Sequence, residues 1–421
     1  MTAAHDAEVC VVGLGYVGLP LAVAFAEAGV PVVGFDIDTD KVDAIAGGRS
    51  LIEDITDDRL AEALGNSFRV TAEPEQTKAA RTYVICVPTP LRESMPDLTF
   101  VEGASRVVAQ VLEPGDLVVL ESTTYPGTTQ DVVAPLLESE SGLVAGRDYD
   151  LAYSPERIDP ANTTWTIHTT PKVVAGCTPE ATDRAATLYG RIATDVVTAS
   201  SPREAEMAKL LENTFRHVNI ALVNELAVFC RSLDIDIWEV IRLASTKPFG
   251  FMPFQPGPGV GGHCIPVDPS YLSWALRRHG FQFRFVELAQ EINARMPSYV
   301  GTRVAEILNG VGLAASRSRI LCIGAAYKPG VGDCRESPAI EVMRHLADKG
   351  ADVEFHDPYV DSITLAGRSL TSVAPDAAGF DLVVILTAHP GIDWDALVAA
   401  GVPILDTRNA LGARGDHVHG L

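Results

Sequence analysis

The feature that most constrains the fold is Gly13-Leu-Gly15-Tyr-Val-Gly18, set between a β-branched run and an alanine-rich stretch. Val9-Cys-Val-Val reads as a short strand and Leu19 to Ala28 as a helix. Glycines at such a junction permit the tight turn and let backbone N–H groups approach a pyrophosphate at the helix N-terminus. Pro31-Val-Val-Gly-Phe-Asp36 is the next strand, and its terminal carboxylate can accept hydrogen bonds from a ribose 2′-OH. The same carboxylate would repel a 2′-phosphate, which favours NAD over NADP. A glycine-rich turn that binds nothing is the plain alternative, and the glycines together with Asp36 argue against it.

The alternation continues through Tyr83-Val-Ile-Cys-Val87 and Leu117-Val-Val-Leu120. Strands rich in Val and Ile without strict polar alternation indicate a parallel sheet buried on both faces. Near Pro202 the pattern changes. Glu204 to Arg231 runs without Gly or Pro and carries apolar residues at helical spacing. That predicts one helix of about 28 residues, roughly 42 Å long, the length of a domain connector or an oligomer interface. Further helices are expected at Ile237–Ala244 and Pro269–Arg278, with a Pro/Gly-rich loop from Pro248 to Pro266 between them.

Near Arg319 the strand-helix alternation resumes: Ile320–Ile323, a helix from Pro338 to Lys349, Asp352–His356, Asp381–Leu386 and Pro403–Leu405. The two ends resemble each other. Each has a strand, a turn at Gly13 or Gly324, a helix ending in Gly29 or Gly350, and a strand ending in Asp36 or Asp357. The expected fold class is therefore α/β, with two Rossmann-like domains joined by a long central helix and a helical middle domain. The boundaries are expected at 1–200, 201–315 and 316–421.

Charge narrows the function. The formal net charge of −22 disfavours nucleic acid or an anionic membrane, because long-range attraction would have the wrong sign. A phosphate-bearing small molecule remains possible if its site supplies local donors. Seven scattered cysteines without a CxxC pair suit neither a disulfide framework nor a structural zinc, and no metal is expected. Val9 to Phe25 lacks a basic lead-in and contains Gly13, Gly15, Gly18 and Pro20. A buried strand-turn-helix explains it better than a signal peptide, so the expected location is the cytoplasm.

Three further segments carry chemistry. Between Pro256 and Pro266 four glycines and three prolines fix an irregular backbone that ends at His263-Cys264, with Asp268 four residues on. A lone cysteine is usually a buried small hydrophobe. One presented by a rigid loop beside His263 and Asp268 reads better as a nucleophile. On the long helix, Lys209 and Asn213 are four apart and share a face, though a solvated helix face with an amide beside it is the better account of that pair taken by itself. In the second Rossmann-like half, Gly324-Ala-Ala-Tyr-Lys328-Pro-Gly lacks the triple-glycine fingerprint. With Arg335 nearby it reads as a nucleotide-diphosphate domain, and two solvated charges are the alternative.

Taken together, the chain resembles the UDP-glucose/UDP-N-acetylmannosamine dehydrogenase family along essentially its whole length. The carrying motifs are Gly13-Leu-Gly15-Tyr-Val-Gly18-Leu-Pro, Cys86-Val-Pro-Thr-Pro90, Glu121-Ser-Thr-Thr124, Ser154-Pro-Glu156-Arg, Ala208-Lys-Leu-Leu-Glu-Asn213, Gly261-Gly-His-Cys264, and Lys328-Pro-Gly through Arg335-Glu-Ser-Pro338. Within the family, Glu204 to Glu225 and Thr246 to Gly259 look most like the UDP-N-acetylglucosamine 6-dehydrogenases. Two departures separate it from the UDP-glucose branch. Val267 stands where that branch has a Lys, and Pro160 stands where it has a second Glu, so that Glu's water-handling role cannot be carried over.

The resemblance implies a catalytic set of Cys264, Lys209, Asn213, Asp268, Glu156 and Thr123. It implies NAD contacts from Gly13, Gly15, Tyr16, Val17, Gly18, Asp36, Pro88, Thr89, Ser122, Thr123, Lys328 and Arg335. The UDP-sugar would meet Glu156, Arg157, Lys209, Asn213, Arg216, His217, Gly261, Lys328 and Arg408, and a homodimer or higher homo-oligomer is the family default. The implied reaction takes a C6 alcohol to a carboxylate through a thiohemiacetal and a thioester on Cys264. Two other readings stay open: a two-electron NAD-dependent oxidoreductase, which has no need of Cys264, and a non-catalytic NAD-binding protein on an inherited fold. The second predicts loss of at least one of Cys264, Lys209, Asn213 or Asp268, and all four are present.

Overall fold

A computed structural model describes residues 7–52, 54–93, 95–159, 162, 164–262, 265–412 and 415–421. The chain divides into two compact bodies: the residues up to Glu212 with Ser270–Phe281, and Asn213–Pro269 with Gln282–Leu421.

The first body is built on eight strands: β1 Val9–Val12, β2 Val32–Phe35, β3 Phe68–Thr71, β4 Thr82–Ile85, β5 Leu117–Leu120, β6 Asp150–Tyr153, β7 Lys172–Gly176 and β8 Val196–Thr198. They lie in the order β8-β7-β6-β5-β4-β1-β2-β3. Every pair is parallel except β6 with β7. The sequence reading named only β1, β2, β4 and β5. These four are buried along their whole length, whereas β3 and β8 are partly open and mixed in character.

The absence of polar alternation has a direct cause. Val9 and Val11 of β1 enter one apolar layer, while Cys10 and Val12 enter the layer on the opposite face. Both faces are dry, so both sets of side chains are apolar. Strand order reverses between β1 and β4, and the turn after each lies at the carboxyl end of the sheet. That is where open α/β sheets bind ligands.

The second body carries a five-stranded parallel sheet: β9 Arg319–Ile323, β10 Asp352–His356, β11 Leu382–Ile385, β12 Ile404–Asp406 and β13 Val418–Gly420, ordered β10-β9-β11-β12-β13. Its switch point falls between β9 and β11. Helices surround it, and two of them were not predicted: the short Trp394–Ala399, and Arg284–Gly310, of 27 residues, with Pro297 inside. An interior proline removes a backbone bond and argues against a helix. Here the proline is buried, and Met296, Val300, Val304 and Leu308 anchor the helix in the apolar core beside Val342 and Leu346. Tertiary packing outweighs the local penalty.

The predicted connector is a helix, Pro202–Ser232, of 31 residues. It opens on a proline, whose missing N–H is harmless in a first turn. Among the described residues no helix is long and apolar enough to cross a membrane.

Candidate active site

The three glycines after β1 are glycines for different reasons. Gly13 adopts φ +93°, and a Cβ there would sit 2.8 Å from the Cys86 carbonyl oxygen. At Gly18 a Cβ would lie 1.8 Å from the Gly13 oxygen. The chain's own packing therefore excludes a side chain at both positions. A Cβ on Gly15 would meet nothing within 4 Å among the described residues, so the space over that residue is open to a ligand. The helix that follows, Gly18–Glu27, has no side-chain cap and no acid in its first turn. Its amides suit an anion.

Asp36, almost fully buried, accepts from Leu14 N at 2.9 Å and Lys41 Nζ at 2.8 Å on one oxygen, and from Asp38 N at 3.0 Å on the other. It thus braces the glycine turn while keeping acceptor capacity for a sugar hydroxyl. The open cradle over Gly15, the uncapped helix and the Asp36 carboxylate fit a dinucleotide. Tyr16 is exposed and Val17 half-buried beside the turn, and after β4 Pro88 is exposed and Thr89 half-buried. The Ser122 hydroxyl lies 2.8 Å from the Val87 carbonyl, and Thr123 beside it is half-buried.

Behind these residues lies a chain of alternating charge. Lys172 Nζ ion-pairs with Glu121 and stands 3.5 Å from Glu156 Oε2. The Tyr189 hydroxyl donates to the other Glu121 oxygen at 2.5 Å, and Lys172 lies 5.0 Å from the Tyr189 ring centre. Glu156 Oε1 accepts from the backbone amides of Arg157 and Ile158. Burial pushes the Glu156 carboxyl up, but Lys172, Glu121, the Ile158 amide and Lys209 together outweigh it and hold it below the usual range. Burial wins at Glu121 instead, where the carboxyl is raised despite Lys172. The Lys172 ammonium is kept charged because Glu121 and Glu156 overcome its desolvation.

The structure therefore brings Glu156 and Lys209 into electrostatic reach of each other. Lys209 is itself buried. Arg157 turns to a different neighbour: its guanidinium meets Glu212 at 2.8 Å and the Pro171 carbonyl at 2.7 Å.

In the second body, Asn213 Nδ2 donates to the buried Asp268 carboxylate. The glycine-rich loop rests on this body's own side chains. A Cβ at Gly257 would lie 2.5 Å from an Arg408 nitrogen, and one at Gly261 would lie 2.7 Å from Pro338 and 2.8 Å from Tyr327. Gly262, at φ +88°, sits over the Tyr327 ring. The Gly257 amide donates 2.9 Å to the side-chain oxygen of Asn224, whose own amide donates to Asn293 at 2.9 Å. Pressed against rings and guanidinium and pinned by a buried amide pair, the loop has little freedom. Cys264 and His263 at its end lie outside the described residues, as does Pro160.

The carboxyl-end turn of this sheet repeats the logic of the first. Asp357 ends β10 and accepts from Ala325 N at 2.7 Å and Ala326 N at 3.0 Å, as Asp36 accepts from Leu14. His389, fully buried, stands 3.0 Å from Asp357 and receives the Gly330 N–H at 3.2 Å. The Lys328-Pro-Gly330 turn is thereby tied to the sheet. Arg408 donates from Nε to the Leu386 carbonyl at 2.7 Å, and burial lowers its pKa to about 10. Lys328 is half-buried. Arg335 pairs with Asp333 at 3.0 Å. Arg216 is exposed, while His217 is buried with neither ring nitrogen hydrogen-bonded, and desolvation lowers its pKa to about 4.

Sequence reasoning did not single out Lys172, Tyr189, Tyr327, Asn224, Asn293 or His389. Glu121 stood in a quoted motif without a role. Each gains its meaning from a partner more than 30 residues away, and no local pattern marks such residues.

Comparison with known proteins agrees with this geometry. The UDP-glucose/GDP-mannose dehydrogenase family matches in three consecutive parts: its NAD-binding domain at residues 7–193, its central domain at 203–295 and its UDP-binding domain at 321–413. The UDP-N-acetyl-D-mannosamine dehydrogenase of Pyrococcus horikoshii is 37% identical over 395 residues, covering 93% of this chain and 92% of that one. The UDP-N-acetyl-D-glucosamine 6-dehydrogenase of Pseudomonas aeruginosa is 37% identical over 388 residues, covering 91% of each. A solved structure of the Pyrococcus horikoshii enzyme superposes with a TM-score of 0.89 at 35% identity, covering 98% of both chains. The chain belongs to the UDP-glucose/GDP-mannose dehydrogenase family and is an NAD-dependent UDP-sugar dehydrogenase.

Proposed function

We propose that this family member oxidises the C6 alcohol of UDP-N-acetylglucosamine to the uronate in two NAD-dependent steps, with Cys264 holding the intermediate. The observation that carries the reading is the braced loop, Pro256 to Gly262, rigid on Tyr327, Pro338 and Arg408, which leads directly to Cys264. A two-electron enzyme has no use for a cysteine so delivered.

The turn at Gly13–Gly18 and Asp36 would hold NAD, which would supply the hydride acceptor for each oxidation. The chain's own residues do the rest. Asp268, oriented by Asn213, takes the proton of the C6 hydroxyl as the aldehyde forms. The Cys264 thiolate adds to the aldehyde carbon, giving a thiohemiacetal whose C6 hydrogen leaves in the second oxidation as a thioester forms. Water then attacks the thioester carbonyl, releasing the carboxylate and restoring the thiol. Lys209 stabilises the oxyanion that develops in these additions. Glu156, kept ionised by its neighbours, stands as the candidate acceptor of the attacking water's proton. Lys328 and Arg408 hold the UDP diphosphate.

The sugar assignment rests on the Thr246–Gly259 stretch and on Val267 and Pro160, which separate the chain from the UDP-glucose branch. Relatives named for either N-acetylhexosamine are equally similar. Steady-state rates with UDP-N-acetylglucosamine, UDP-N-acetylmannosamine and UDP-glucose separate the choices: the first should give the highest kcat/KM, and a higher value for either of the others overturns the assignment. A cytoplasmic homodimer completes the proposal. The dimer is supported by exposed apolar side chains on one stripe of the connecting helix, Leu222, Leu226 and Phe229, a patch that a lone chain would leave in water.

A further inference from the structure

At the opposite end of the second body's sheet from the Lys328 turn, a pocket of about 530 Å³ opens beside the amino ends of β12 and β13. Arg231, Arg303, Glu306, Asp416, His417 and His419 line it. That volume suits a small metabolite. In a chain of net charge −22, this hollow sets two arginines and two histidines beside its two carboxylates.

The arrangement is specific. Arg303 is only 2% exposed, yet just one arm of its guanidinium meets Glu306, and its Nε has no hydrogen-bond partner among the described residues. The Tyr299 hydroxyl is likewise buried without a partner, within electrostatic reach of Arg303 and Arg231. Arg303 lines the pocket and gives one of its two terminal nitrogens to Glu306, which leaves the other to meet a ligand oxygen. Arg231 lines this pocket and lies about half a turn from the apolar stripe of its helix, Leu222, Leu226 and Phe229. His417 is committed to the Val398 carbonyl at 3.1 Å. His419 is held toward its neutral form by burial and then by Arg303, Arg231 and His417.

We propose that this pocket binds the phosphate-monoester group of a small metabolite, with Arg303, Arg231 and His419 as its donors. Phosphate matches the Arg fork, and its second charge suits two guanidiniums better than a single carboxylate does. An anion seated here also screens the two arginines from His419, so binding draws a proton onto that ring. The site lies outside the residues assigned to NAD and UDP-sugar, and it stands whichever sugar is the substrate.

The test is calorimetry of the full-length protein, saturated with UDP so that its nucleotide site is filled, titrated with inorganic phosphate in two buffers of different ionisation enthalpy. Phosphate should bind with net proton uptake. Arg231→Ala, an exposed change that leaves the fold intact, should weaken it at least about tenfold, and His419→Gln should abolish the proton uptake. Turnover of the UDP-sugar by Arg231→Ala without added phosphate should match the parent. Absence of phosphate binding once UDP is present overturns the proposal, as does binding indifferent to Arg231→Ala. Succinate binding as tightly as phosphate would assign the pocket to dicarboxylates and overturn the phosphate assignment.

Discussion

Lys172 on β7 and Glu121 just beyond β5 form an ion pair 51 residues apart in sequence, with side-chain exposures of 6% and 0%. Neither charge is solvated, so each is tolerable only because of the other, with Tyr189 and Glu156 completing the set.

Removing one partner strands the other. Lys172→Met should lower unfolding stability by about 3–5 kcal/mol, whereas Lys172→Met combined with Glu121→Gln should recover part of that loss. Denaturant unfolding of the two single variants and the double variant measures the coupling. Losses that simply add would mean the pair is not a unit.

The glycine turn predicts a contrast between two substitutions of equal size. Gly18→Ala forces a Cβ against the Gly13 carbonyl and should destabilise the first body by several kcal/mol, about the upper range for single changes. Gly15→Ala meets no atom of the chain, so its melting temperature should barely move while its NAD affinity falls at least about tenfold. Fluorescence titration with NADH beside a thermal melt separates the two effects.

How far the sequence reached depends on the range of the interactions. Gly13, Gly15, Gly18 and Asp36 were legible because a turn and its adjoining strand are local, and the buried strands betrayed themselves by unbroken Val and Ile. The pairing of the two terminal halves was legible for the same reason. The helix Arg284–Gly310 was not, because Pro297 speaks locally against it and only the core contacts of Val300, Val304 and Leu308 override that signal. Within the site, Lys209 and Asn213 could be named by spacing and resemblance. Lys172, which keeps Glu156 ionised, could not, since nothing near it in sequence reveals the carboxylates it meets.

His217 gives a pH signature. The folded ring titrates near pH 4 because burial penalises its charged form, while the unfolded ring titrates near its ordinary 6.5. As pH falls from 7 to 5 the unfolded chain gains a proton that the native protein refuses. Native stability should therefore drop over that window by about 2 kcal/mol from this residue. His217→Phe should flatten that part of the profile. Parallel profiles for parent and variant would contradict it.

Asp268 is assigned as the proton acceptor and Asn213 as the residue that orients it. Asp268→Asn should lower kcat by about 10²–10⁴-fold with a smaller change in KM. Asn213→Ala should cost less, because it removes only the hydrogen bond that positions the carboxylate. An Asn213→Ala kcat equal to the parent's would remove Asn213 from that role.

The most direct test of the central claim is the count of NADH formed per UDP-N-acetylglucosamine consumed, read by absorbance with product mass in parallel, for the parent and for Cys264→Ala. The account predicts two NADH and a uronate from the parent, and no uronate from the variant. One NADH with an aldehyde product from the parent, or unchanged uronate formation by Cys264→Ala, would contradict it.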